Sequence, residues 1–193
     1  MNPPRTLPRG SIQQRDNPAG TISFTCLRHG RMPVASGQVP IVLPARGHVS
    51  ASATEILGGF FDANYAYRFG RPEHDVCQAT LSRGDGAMLA AATYWLPDRR
   101  SERHHLGLIA RTALDNNGWS LTLSTERMAA AIAIDDEIFC PEDNYFDLAP
   151  GIDRVVRLSP RDAGSLEAPN GTIAALNAVE VLHYADDRKK RQT

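Results

Sequence analysis

Turn residues cut this chain into short segments whose apolar side chains alternate, and a period of two admits strands and little else. Ile22, Phe24 and Cys26 alternate with Thr21, Ser23 and Thr25, types that suit a half-buried pleated surface. Arg28-His29-Gly30-Arg31 supplies a turn, residues 39–43 a second strand closed by residues 44–47, and residues 49–56 a third. Residues 76–81 and 87–95 flank the loop Ser82-Arg83-Gly84-Asp85-Gly86 and predict a hairpin; the short Ala90-Ala91-Ala92 run reads as strand from that context. A second hairpin turns at Asp115-Asn116-Asn117-Gly118, between residues 106–114 and 119–125, with Asn117-Gly118 suited to positive φ. Residues 129–134, 154–158 and 171–179 continue the pattern. Strands at roughly ten-residue spacing predict an all-β protein made of two tandem β-sandwiches. Their boundary falls in the polar stretch 98–105, since domain linkers are exposed and polar.

A chain of 193 residues accommodates two such domains, at 20–97 and 106–185, with a proline-rich arm over 1–19 and a charged tail over 186–193. The first domain starts so late that an opening strand could be missing, which would leave a bare sheet edge. With a hydrophobic fraction of 42%, a charged fraction of 22% and a net charge of −1, the composition is that of a folded domain with no basic footprint. Neither nucleic acid nor a membrane surface is expected as a partner. The first twenty residues lack the apolar core of a secretory signal, so the sequence as written is expected to stay in the cytoplasm. The three cysteines, Cys26, Cys77 and Cys140, read as small buried hydrophobes, with a Cys26 to Cys77 bridge as the alternative.

One corner organises the second half. Asp143 and Asn144 start a turn, Pro150-Gly151 make another, and between them lie Tyr145, Phe146, Asp147 and Leu148; Asx side chains bond their own backbone at such places. Beyond it, Ile152, Arg154, Val156 and Leu158 face one way, and Asp153, Val155 and Arg157 the other. The run Asp143-Asn144-Tyr145-Phe146-Asp147-Leu148-Ala149-Pro150-Gly151 resembles the D-N-(Y/W)-F-x-L-x-P-G segment in the last immunoglobulin-like domain of the β-mannosidases of glycoside hydrolase family 2. Residues 65–75, from Tyr65-Ala66-Tyr67-Arg68-Phe69-Gly70 to His74-Asp75, resemble the Y-A-Y-R-F-G-P-P-x-H-D segment of the domain before it. Trp119-Ser120-Leu121-Thr122-Leu123-Ser124 fits between the two, so the resemblance covers roughly residues 20–180. It implies two immunoglobulin-like sandwiches from the non-catalytic end of such an enzyme, with Trp119 and Tyr145 buried between sheets. It also implies a catalytic barrel as partner and an apolar patch where that barrel docks.

Little in the sequence offers chemistry of its own. Retaining glycosidases place two carboxylates roughly 5–5.5 Å apart. In the resembled family both are glutamates on a separate (β/α)₈ barrel, the acid/base following an asparagine; no Asn-Glu dipeptide occurs here, and a barrel alone needs about 200 residues. No catalytic residue is assigned. The acidic groups Asp135-Asp136-Glu137 and Glu142-Asp143 with Asp147 lack calcium-loop spacing and read as solvated turn charges, Asp143 and Asn144 capping the corner. No cofactor and no metal is expected. His104-His105 reads as exposed linker, and His74, beside Asp75, as an aspartate-oriented brace rather than a catalytic group. Tyr65, Tyr67, Arg68 and Phe69 have the composition of a sugar site, rings for pyranose C–H faces and an arginine for hydroxyls. Packing or an interdomain contact is the alternative for that set. Two functions are therefore expected: a non-catalytic scaffold for a β-mannosidase-like barrel, or a free-standing module for mannose-containing glycans. Exposed rings, Tyr145 included, favour the second.

Overall fold

A computed structural model describes residues 19–44, 46–63, 73–162 and 167–185. Among the described residues twelve strands make three four-stranded antiparallel sheets, with one short helix beside them, and the all-β class is as the alternation predicts.

The first sheet has the order β2-β1-β3-β4, from β1 (Ala19–Arg28), β2 (Met32–Val42), β3 (Val76–Arg83) and β4 (Met88–Trp95). Register pairs Ile22 with Leu81, Phe24 with Ala79, and Cys26 with Cys77, then Ala79 with Ala92 and Cys77 with Tyr94. Since paired residues share a face, one side of this sheet is apolar from β1 across to β4. Pro33 and Pro40 lie on β2, an outer strand, where a missing N–H is tolerated. Among the described residues no second sheet covers the apolar face.

What lies on that face instead is helix α1 (Ala53–Leu57). The strand expected over 49–56 is thus overturned, and the reason is local. Ser52 and Glu55 form a reciprocal capping box, and Gly58 closes the helix in the left-handed region at φ 70°, which satisfies end groups that a strand would have to pair elsewhere. The helix seats directly on β2: a Cβ on Gly37 would lie 2.0 Å from the Ile56 carbonyl oxygen, so only glycine allows the approach.

The cysteine reading is corrected as well. Cys26 and Cys77, both buried, are joined by a disulfide across the β1–β3 ladder, with Cα atoms 4.1 Å apart; Cys140 is exposed and free. Neighbouring antiparallel strands bring opposite Cα atoms to about 4.5–5.5 Å, so the pairing follows from register.

The second half is a sandwich of two sheets, β5-β6-β10-β8 and β12-β11-β7-β9. The first holds β5 (Ile109–Asp115), β6 (Gly118–Ser124), β8 (Phe139–Pro141) and β10 (Arg154–Pro160); the second holds β7 (Ala129–Asp136), β9 (Phe146–Leu148), β11 (Asn170–Ala174) and β12 (Leu182–Ala185). Leu121 and Leu123 of β6, Val156 and Leu158 of β10, Ile132 and Ile134 of β7 and Ile173 of β11 form the core between them. Each such side chain contributes about 1.5–3 kcal/mol on burial. The closing strand expected over 171–179 stops at Ala174, and β12 follows only after residues 175–181 have left the ladder: the Leu176 N–H donates to the Ala130 carbonyl at 2.8 Å, and the Asn177 side chain is buried. Asp136 corrects the view of the acidic groups as solvated. It is 2% exposed and accepts from the N–H groups of Ile138, Phe139 and Asn170 and from the Tyr184 hydroxyl.

Residues 98–105 are tied down. The His104 N–H donates to the Asn177 carbonyl at 2.8 Å and its carbonyl accepts from Val179 at 3.1 Å, so His104 is half-buried and His105 is the exposed one. Leu27 and Val76 from the first half pack with Met128 and Ala149 from the second, flanked by Trp95 and Ile152. No described helix is long and apolar enough to cross a membrane.

Candidate functional site at the junction of the halves

Between Ala129 and Ile132 the β7–β9 ladder shifts register: Ala129 faces Leu148 and Ile132 faces Phe146, so Ala130 and Ala131 oppose Asp147 alone. This is a β-bulge, which leaves ladder donors unpaired and re-aims side chains. Two polar side chains take up those groups. Asp147 Oδ1 accepts from the Ala131 N–H at 2.8 Å, and Asn177 Oδ1 accepts from the Ala130 N–H at 2.8 Å while its Nδ2 donates to the Met128 carbonyl at 2.9 Å.

The same Asp147 carboxylate reaches into the first half. Its Oδ2 accepts from Trp95 Nε1 at 2.9 Å and its Oδ1 from Arg100 Nη2 at 3.2 Å. One carboxylate therefore joins the bulge, the end of β4 and the turn after it. A second tie lies beside it: Arg127 Nη1 donates to the His29 carbonyl at 2.8 Å and the Met128 N–H to the Gly30 carbonyl at 2.6 Å.

The corner residues divide by role. Asn144 behaves as a piece of strand, its Oδ1 accepting from the Ile134 N–H at 2.8 Å and its Nδ2 donating to the Ile134 carbonyl at 3.0 Å. Asp143 accepts from the Asn144 N–H at 2.8 Å and pairs with Arg154, whose guanidinium lies 4.1 Å over the Phe146 ring. Pro150-Gly151 turns the chain, Gly151 at φ 75°. Tyr145 departs from expectation. The residue is 72% exposed, not buried between sheets, because its backbone is held at φ 61° with its N–H on the Ile132 carbonyl at 2.6 Å, and that turn swings the side chain outward. Trp119 is half-buried against the core.

Tyr145, Phe146, Asp147 and Arg154 form one wall of a groove of about 440 Å³ whose other wall is β3 and β4, with Gln78, Thr93, Met88 and Leu89; Arg100 also lines it. Sequence reasoning reached Tyr145 and Phe146 but not this wall, since Gln78 and Thr93 carry no motif.

Tyr65, Tyr67, Arg68 and Phe69 lie outside the described residues, as do the tail residues 186–193. His74 is fully buried, with Nε2 3.1 Å from the Ala63 carbonyl oxygen and its ring 5.2 Å from that of Phe61. Asp75 does not orient it: the Asp75 carboxylate accepts from the His29 N–H instead. Among the described residues one group gathers three soft or borderline ligand atoms, Cys26, His74 and Cys77, all within 4.8 Å, and both its sulfurs are taken up by the disulfide.

Comparison with known proteins agrees with the second half in particular. Residues 105–180 match the family Ig_mannosidase, an Ig-fold domain. No curated protein matches the sequence. Among solved structures, the exo-chitosanase CsxA of Amycolatopsis orientalis superposes with a TM-score of 0.52 at 14% identity, over 88% of this chain and 24% of that one. That likeness concerns the fold, and this chain spans about a quarter of the length of the enzyme it matches. With the bulged corner, the two packed sheets and the family match all falling on the same stretch, residues 105–180 form an Ig-fold domain similar to the Ig_mannosidase family.

Proposed function

We propose that this chain is the non-catalytic C-terminal scaffold region of a β-mannosidase-like glycoside hydrolase, supporting a catalytic barrel carried elsewhere. The observation that carries this reading is how its carboxylates are used. Asp75, Asp136, Asp143 and Asp147 each accept from backbone N–H groups of their own fold, so they hold strands and corners together. Glycoside hydrolysis needs two carboxyl groups facing a substrate across a fixed gap of about 5–9.5 Å. The part of the first sheet's apolar face that α1 leaves uncovered among the described residues adds support. Ile22, Ile41, Leu43, Val49, Leu81 and Ala90 border a cleft of about 260 Å³ on it, the kind of surface a large partner covers.

The test has two parts. The purified chain is expected to leave p-nitrophenyl β-mannoside untouched above buffer. A family 2 β-mannosidase barrel prepared without its own C-terminal β-domains is expected to co-elute with the chain and melt higher in its presence, and Leu81→Glu is expected to weaken both effects. Turnover by the chain alone, or a barrel indifferent to it, overturns the reading.

A further inference from the structure

Among the described residues nothing in the folding explains why residue 145 is a tyrosine. Its φ of 61° lies where glycine and asparagine sit with least strain and bulky side chains are rare, and strain of this kind collects at sites of function. The residue gives the core nothing, being 72% exposed. What the ring does is form the rim of the groove between the halves.

The groove's electrostatics narrow what it can hold. Its two guanidinium groups are already compensated, Arg100 by Asp147 at 3.2 Å and Arg154 by Asp143, so a phosphate or carboxylate would find no excess positive charge. Each guanidinium nonetheless has five N–H donors in all, more than these pairings use. Gln78 and Thr93, register partners on β3 and β4, make no side-chain hydrogen bond among the described residues and line the opposite wall. The space, about 440 Å³, falls in the usual range of small-ligand sites, roughly 300–1,000 Å³. A flat apolar ring facing neutral donors and acceptors matches a ligand with one C–H face and many hydroxyls.

We propose that this groove binds a neutral oligosaccharide, one pyranose ring stacked on Tyr145 and its hydroxyls bonded to Gln78, Thr93 and Arg100. The assignment goes beyond the scaffold reading and does not rest on it, because the groove uses the Gln78–Thr93 side of the first sheet and meets the apolar cleft only at Ala90 and Ala91 on the outer strand β4. Selectivity follows from the same features: the ring selects sugars with an unbroken C–H face, and the balanced charge selects against acidic ones.

The test is calorimetric titration of the whole chain with mannobiose, cellobiose and chitobiose, and with a sulfated disaccharide as the charged comparison. Tryptophan fluorescence is followed in parallel, since Trp95 donates to the Asp147 carboxylate that lines the groove. At least one neutral disaccharide is expected to saturate with a Kd of about 0.1–5 mM, as an open groove with few anchors allows. Raising NaCl from about 50 to about 500 mM is expected to leave that Kd unchanged. Tyr145→Ala is expected to weaken binding about tenfold or more with an unaltered melting midpoint, and Gln78→Ala by about threefold. The proposal is overturned if no neutral disaccharide saturates up to about 50 mM, if Tyr145→Ala binds as well as the parent, or if the sulfated sugar binds more tightly and is released by salt.

Discussion

Trp95 Nε1 and Asp147 Oδ2 are 2.9 Å apart and 52 residues apart in sequence, and this hydrogen bond fastens the last residue of β4 to the bulge of the second half. Asp147→Ala removes the acceptor for the Ala131 N–H, the Trp95 indole and Arg100 together. Left without partners, the Ala131 N–H and the Trp95 indole cost about 1–3 kcal/mol each, while the half-exposed Arg100 turns to water, so a total of about 2–6 kcal/mol is expected in urea unfolding. Trp95→Phe is expected to cost about 1 kcal/mol for the bond, plus lost packing. The double variant should be less destabilised than the sum by about 0.5–2 kcal/mol. Strict additivity would mean that the two halves do not communicate through this pair.

The Cys26–Cys77 disulfide closes a loop with a sequence separation of 51. Loop-closure entropy puts its contribution at about 4 kcal/mol. Reduction, or Cys26→Ala with Cys77→Ala, is expected to lower the melting midpoint of the first half by about 15–30 °C. Differential scanning calorimetry should show that endotherm moving further than the one from residues 105–180, whose own cysteine, Cys140, is free.

Gly30 has φ 61°, and a Cβ there would lie 3.2 Å from Met128 Cβ. Gly30→Ala therefore meets both backbone strain and a tight contact, at the point where the β1–β2 turn accepts from the Met128 N–H. A loss of about 1–3 kcal/mol is expected. Gly84→Ala, where the nearest atom to a new Cβ is 3.8 Å away, is the matched control and is expected to change stability by no more than about 0.5 kcal/mol.

Burial, with Asp136 next to it, holds the Tyr184 hydroxyl well above its ordinary titration range. The unfolded chain releases that proton near pH 10, whereas the folded chain keeps it. Stability from this group is thus complete below about pH 10 and is lost as pH climbs beyond it. Tyr184→Phe is expected to cost about 1–2 kcal/mol at neutral pH, since Asp136 loses one donor, and to flatten the decline above about pH 10. An alkaline slope identical in both proteins would exclude Tyr184 as its source.

The alternating segments were legible because a period of two survives substitution at any one position. Ile22-Phe24-Cys26, the hairpin at 82–86 and the one at 115–118 all form where the pattern puts them. Helix α1 was equally legible and misread: Ser52, Glu55 and Gly58 spell a capped helix, but Val49 and Ile56 suggested a strand first. Strands β8 and β9, three residues each, are too short to show periodicity. The groove could not have been read at all. Asp147 acquires its partners from residues 95, 100 and 131, and the direction of the Tyr145 ring depends on a positive φ that no tyrosine announces.

That same backbone setting bears on how tightly a groove of this kind can hold anything. The Ile132 carbonyl grips the Tyr145 N–H, and Asn144 is clamped to Ile134 on both sides, whether or not the groove is filled. The ring's backbone seat is fixed when the chain folds, so little ordering of the rim is left for the moment of encounter. A variant that relaxes the corner, such as Asn144→Gly, would keep every surface group in place and yet present them to a ligand as a loose collection.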